Sequence, residues 1–193
     1  MWNTIQVENL PEPVNVHCIV KINSSTILSI GGHGEHDNGE LDYVKKTYLF
    51  NSQLNTWTPG PSLLRPRALL SCGILRWKNP KSNEVERIVV AAGGFDNPRV
   101  LSSVELLYLD RNESSSKSEW QKGPELPKAV KESTMIEYDN SVILIGGKGE
   151  VDGFHLYQLF SPNGSWLEMK QTLKTNRSLH VAFLVPDELV NCH

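Results

Sequence analysis

The sequence predicts an all-β fold, a propeller or a related repeat array, and three observations carry that reading. A short apolar run closed by two glycines occurs three times, as Ile27-Leu28-Ser29-Ile30-Gly31-Gly32, Ile88-Val89-Val90-Ala91-Ala92-Gly93-Gly94 and Val142-Ile143-Leu144-Ile145-Gly146-Gly147. Each run is too short for a buried helix and rich in Val and Ile, which suits a buried strand, and the glycines end it where a turn or a close backbone approach excludes a side chain. The runs are separated by 62 and 53 residues, and a period near 50 points to a propeller. The residues downstream of each run repeat as well. Tyr48 stands nine residues before Trp57 and Tyr157 nine before Trp166, while Tyr108 stands twelve before Trp120 with the polar insert Glu113-Ser114-Ser115-Ser116-Lys117 between them. After the tryptophan, Trp57-Thr58-Pro59-Gly60-Pro61-Ser62-Leu63 is matched by Trp120-Gln121-Lys122-Gly123-Pro124-Glu125-Leu126.

An apolar strand, Gly-Gly, then a spaced Tyr and Trp resembles the kelch repeat, over about residues 13–185 and in about three copies. The resemblance implies a kelch-type β-propeller of four-stranded blades. It implies no particular activity, because one fold serves many purposes.

Taken in order as a single domain over 1–193, the chain gives three blades, about 14–60, 67–123 and 132–170, with strand remnants at 2–10 and 179–185. Residues 2–10, with Trp2 and Leu10-Pro11, read as a lone outer strand. The first blade uses strands near 16–21, 25–31, 44–50 and 55–59, with 33–43 as a polar loop. The second uses about 68–76, 87–93, 103–109 and 118–122, its first hairpin carrying the hydrophilic excursion around Lys78-Asn79-Pro80. The third uses about 133–138, 141–146, 154–160 and 165–169, and Asp139-Asn140 is a tight-hairpin signal. Leu179 to Val185 begins a fourth blade that Pro186 stops. Closed propellers hold about four to eight blades, so this inventory reads as a partial or open propeller, a piece of a larger ring.

A net charge of −3 with 21% charged residues gives no support to a nucleic-acid or anionic-membrane partner. No apolar run approaches the length of a membrane-spanning helix. The first residues lack the basic start and apolar stretch of a signal peptide, which leans the expectation to the cytoplasm, with the extracellular space as the alternative for a piece of a secreted protein. Cys18, Cys72 and Cys192 are odd in number; Cys18 and Cys72, each in the strand before a Gly-Gly run, read as buried thiols. Asn23, Asn112, Asn163 and Asn176 open glycosylation sequons.

His33-Gly34-Glu35-His36-Asp37 could ligate a metal, but metal sites take three or four ligands and nothing else is clustered to complete one, so a solvated loop is expected. His17 and His180 read as structural strand histidines. Without a nucleophile elbow or a phosphate loop, neither catalysis nor a cofactor is expected. The expected function is a protein-interaction module presenting loops to a protein or peptide partner; the alternative is a sugar-modifying enzyme of oxidase or epimerase type, which some kelch propellers resemble. Because strands alternate in direction, the loops after each Gly-Gly and the connections between blades open on one face. The candidate partner-binding residues there are Arg65, Arg67, Lys128, Lys131, Lys174 and Arg177, with His33 and His36 beside them. Two basic residues in every connection would suit an acidic peptide, Arg gripping carboxylates in bidentate fashion. Changing Arg65, Arg67 and Arg177 to Ala is then expected to abolish capture without lowering stability.

Overall fold

The computed structural model describes residues 6–35, 41–110, 119–150 and 153–185, and all of its regular structure is β. The first repeat runs β1 (Val14–Asn15), β2 (Cys18–Lys21), β3 (Thr26–Ile30), β4 (His33–Glu35), β5 (Leu41–Tyr43), β6 (Thr47–Asn51) and β7 (Thr56–Pro59). The second runs β8 (Ser71–Lys78), β9 (Val85–Ala92), β10 (Phe95–Asp96), β11 (Arg99–Val100), β12 (Val104–Tyr108) and β13 (Gln121–Lys122). The third runs β14 (Val130–Lys131), β15 (Thr134–Tyr138), β16 (Ser141–Ile145), β17 (Lys148–Gly149), β18 (Leu156–Leu159) and β19 (Leu167–Glu168). Three antiparallel four-stranded sheets result, ordered β2-β3-β6-β7, β8-β9-β12-β13 and β15-β16-β18-β19, and they are the blades of a β-propeller. Asp139 and Asn140 join β15 to β16 with φ of 44° and 55°, the two positive values that a two-residue hairpin of matching twist requires.

The core lies between blades. Along β9 the side chains alternate: Val89 and Ala91 pack toward the first blade with Leu28, Ile30 and Trp120, whereas Ile88, Val90 and Ala92 pack toward the third with Val142, Leu144 and Leu159. A continuous apolar run is what a strand covered on both faces needs, and each fully buried Val, Leu or Ile in it contributes about 1.5–3 kcal/mol.

The paired glycines mark where each connection crosses the blade it has just left. The second glycine amide donates to a connection carbonyl three times: Gly32 to Arg67 at 2.9 Å, Gly94 to Val130 at 2.8 Å and Gly147 to Arg177 at 2.8 Å. A Cβ on the first glycine of each pair would lie closer than 3.0 Å to that same oxygen, so no other residue fits.

Four residues with left-handed φ, Val16 (47°), Leu69 (55°), Glu132 (60°) and Leu179 (51°), follow the connections and encircle the axis. They are linked in series, the amide of Leu69 donating to Val16 O, that of Glu132 to Leu69 O and that of Leu179 to Glu132 O, each at 2.9 Å. The ring therefore has four positions. Residues 179–185 hold the fourth, and Ala182, Phe183 and Leu184 line a cavity of about 330 Å³ together with Ile19 and Lys21 of β2 and Met135 and Glu137 of β15.

Several expectations are corrected. The polar loop at 33–43 is in part an ordered ribbon, β4 pairing with both β5 and β1, because the incoming connection supplies an edge for it. Residues 179–185 join no sheet among the described residues, although they occupy a blade's inner position. His17 and His180 lie outside the strands. Residues 6–10 form no strand, and Trp2 lies outside the described residues. Tyr108 is not the equivalent of Tyr48 and Tyr157: the residues opposite the position two before Gly-Gly are Tyr48 on Ser29, Glu105 on Ala91 and Tyr157 on Leu144. Finally, Cys18 and Cys72 are not separate thiols but a disulfide with Cα atoms 6.0 Å apart, formed because β2 and β8 are neighbours around the axis. Cys192 lies outside the described residues.

Candidate interaction face

The connections and the hairpins after Gly-Gly meet on one face and hydrogen-bond to each other. β1 pairs with β4, Ala68 bridges to Phe95 and β14 pairs with β17, so three consecutive repeats build the same rim. The rim is stiff because each loop finds backbone partners in the next segment of chain rather than in water.

Two of the predicted rim residues come together through side chains that the sequence did not single out. The His33 ring lies 4.9 Å from Tyr43, Tyr43 meets Phe95 edge-on at 5.6 Å, and Lys131 Nζ stands 4.5 Å over the Phe95 ring. This row crosses from the first repeat to the third, and all four side chains are half-buried. Lys131 is also 3.6 Å from Glu132. Next to Phe95, Asp96 accepts from Arg65 Nη2 at 2.8 Å, which ties Arg65 to the same cluster. Tyr43 and Phe95 had a signal in the sequence: each is an aromatic residue in a polar segment after Gly-Gly, where no strand core calls for one.

Arg67 is placed elsewhere. Expected on the rim, it is fully buried between the first two blades. Its Nη1 donates to Gly93 O and Ser103 O, both at 2.9 Å, and its Nη2 to Ser103 Oγ at 3.2 Å and Glu105 Oε1 at 2.7 Å. Burial pushes its pKa down from the ordinary guanidinium range, and Glu105 pulls the other way. Glu105 in turn accepts from the Leu64 amide at 2.6 Å and the Arg65 amide at 3.3 Å. So the carboxylate that replaces a tyrosine in the second blade anchors the connection, and its cation is the residue expected to greet a partner. A notch of about 320 Å³ opens beside this pair, with Arg65, Lys122 and Glu125 on its walls.

Lys128, Lys174 and Arg177 are exposed in the later connections, apart from the aromatic row. His36 lies outside the described residues, so the suggested His33–His36 pairing has no geometry to report. Among the described residues no three His, Cys, Asp or Glu side chains are grouped to hold a metal ion. No helix there is long and apolar enough to cross a membrane.

The architecture is that of a β-propeller. No protein-family profile matches the sequence, and no curated protein matches it. Among solved structures, the "Structure of YjhT" is similar, with a TM-score of 0.64, 13% identity, and coverage of 88% of this chain and 56% of that one. The likeness is one of fold, and this chain spans little more than half the length of that protein.

Proposed function

We propose that the chain is a kelch-type propeller whose rim face binds a protein or peptide partner of acidic character, without catalysing a reaction. The observation that carries the reading is the row His33, Tyr43, Phe95 and Lys131, an aromatic and cationic surface assembled from three repeats on a stiff backbone. Aromatic side chains offer large contact area at small entropic cost, and Lys and Arg beside them select carboxylates. Lys128, Lys174 and Arg177, exposed in the later connections, offer further cations. The Cys18–Cys72 disulfide supports an oxidising compartment, which revises the lean toward the cytoplasm.

The test is capture from an array of acidic peptides by the full chain. Retained peptides should be lost when Phe95 and Lys131 are both changed to Ala, and binding of the unaltered chain should weaken as salt rises. Capture that survives this double change, or that ignores salt, overturns the reading.

A further inference from the structure

The asparagine sequons acquire a place in the fold. Asn23-Ser24-Ser25 lies in the turn between β2 and β3, and Asn163-Gly164-Ser165 in the turn between β18 and β19. Both turns stand at the end of the blades opposite the rim. β3 runs toward Gly31-Gly32 on the rim, and Lys21 pairs with Ile27 near its other end. β18 starts with Leu156 opposite Ile145, next to Gly146, and leaves the sheet with Leu159 opposite Val142. Asn23 and Asn163 are both exposed.

The local bonds spare each side-chain amide nitrogen. Asn23 Oδ1 accepts from Ser25 N at 2.9 Å and from Ser25 Oγ at 3.2 Å, an Asx turn that engages the oxygen and leaves Nδ2 out. In the other turn the Asn163 amide donates to Ser161 Oγ at 3.3 Å and the Gly164 amide to Ser161 O at 3.1 Å, so the loop is held without the Asn163 side chain. Apolar side chains stand bare beside both. Ser52 N and Oγ donate to Ser25 O at 2.8 and 3.1 Å, which sets the turn carrying Leu54, 70% exposed, against the Asn23 turn. Phe160, 47% exposed, stands three residues before Asn163. A third sequon, Asn176-Arg177-Ser178, is on the rim instead, with Asn176 Cβ against Gly153, and Asn112 lies outside the described residues.

We propose that Asn23 and Asn163 are N-glycosylation sites, an inference that rests on the oxidising compartment supported by the Cys18–Cys72 disulfide. The donor is a lipid-diphosphate oligosaccharide, used by the transferase of the cell. Nδ2 gives up one proton and bonds to C1 of the first sugar, while the bond from C1 to the diphosphate oxygen breaks and the lipid diphosphate keeps its electron pair. The hydrated glycans cover Leu54 and Phe160 and raise solubility. Placed away from the rim, they leave the aromatic row open to its partner.

The full chain, immunopurified from the cells that produce it, is alkylated without reduction and then treated with peptide-N-glycosidase in heavy-oxygen water. Each glycosylated asparagine becomes a labelled aspartate, identified by peptide mass. Label is expected at Asn23 and Asn163. Ser25→Ala and Ser165→Ala, re-expressed in the same cells, should each lower the intact mass by one glycan with little change in melting. Capture of acidic peptides should be equal before and after glycan removal. An unlabelled Asn23 or Asn163 beside oxidised Cys18 and Cys72 overturns the proposal and leaves the compartment reading standing. Alkylated cysteines beside labelled asparagines do the reverse, and alkylated cysteines beside unlabelled asparagines overturn both. Label confined to Asn176, or capture that emerges only after glycan removal, overturns the placement away from the rim.

Discussion

Trp57 and Trp120 occupy the same place in the first and second blades, and the difference between them shows what a neighbouring blade does. Both indoles donate to a carbonyl of the preceding connection at 2.9 Å, Trp57 to Glu8 and Trp120 to Pro61; Trp166 repeats the bond with Pro124. Yet Trp120 is 2% exposed and Trp57 only half-buried. The hydrogen bond belongs to the repeat, whereas the burial comes from a complete blade standing alongside. Arg67 and Arg177 form a second such pair, one enclosed by Glu105 and Ser103 and the other exposed. Identical local sequence grammar therefore yields an interior element in one place and a surface in another.

The largest test of that comparison is at the arginines. Arg67→Ala strands the Glu105 carboxylate in the core and should lower unfolding free energy by about 3–5 kcal/mol, while Arg177→Ala should change it by less than about 0.5 kcal/mol. Urea titration of the two variants reads both, and equal losses would break the comparison. This replaces the expectation that Arg65, Arg67 and Arg177 can be removed together at no cost to stability.

The disulfide separates the first two blades from the third. Residues 18 and 72 are 54 apart in sequence, and releasing a loop of that length should cost about 4 kcal/mol on the chain-entropy account. Cys18→Ser melted beside the unaltered chain under non-reducing conditions measures this. A Tm insensitive to both that change and added dithiol would show that the bond does not restrain the blades.

At the tryptophans the effect should be graded. Trp120→Ala should cost about 3–5 kcal/mol and Trp57→Ala about 2 kcal/mol less, since part of the Trp57 ring is already in water. Denaturant midpoints that coincide would mean that the first blade is covered in solution.

The smallest effect is in pH. His17 and His180 stand next to ring residues in the first and fourth positions, and burial lowers both pKa values from the usual 6.5. A depressed histidine binds its proton more readily unfolded than folded, so stability is full above about pH 6.5 and falls as pH drops toward the folded-state values. His17→Gln should flatten the Tm profile between about pH 7 and 5; an unaltered slope would assign the loss to other groups.

Much of the fold was legible because its signals are local. The three Gly-Gly runs, the indole position and the Asp139-Asn140 turn are read from adjacent residues, and all three four-stranded sheets fall close to the expected spans. What escaped is non-local. Glu105 meets Arg67 across 38 residues, and Cys18 meets Cys72 across 54. The false equivalence of Tyr108 arose because spacing to Trp120 was counted through an insert, whereas strand register is set on the other side, against β9. The left-handed ring gave no sign at all, since Val, Leu and Glu are poor predictors of positive φ. At the rim the charges were visible, but the aromatic row that organises some of them depends on β4 and β10, which are held by partners in the connections, and on β5, which pairs with β4.

The link between Cys18 and Cys72 also sets how the chain responds to tension. Pulled from its two ends, the protein can lengthen only outside the covalent loop, and the 54-residue stretch between the cysteines contributes the width of one bridge. Reduction returns that length, roughly 180 Å of extended chain. A force trace recorded with and without a reductant would therefore differ by one added step of that size. The protein's contour is a quantity set by its redox state.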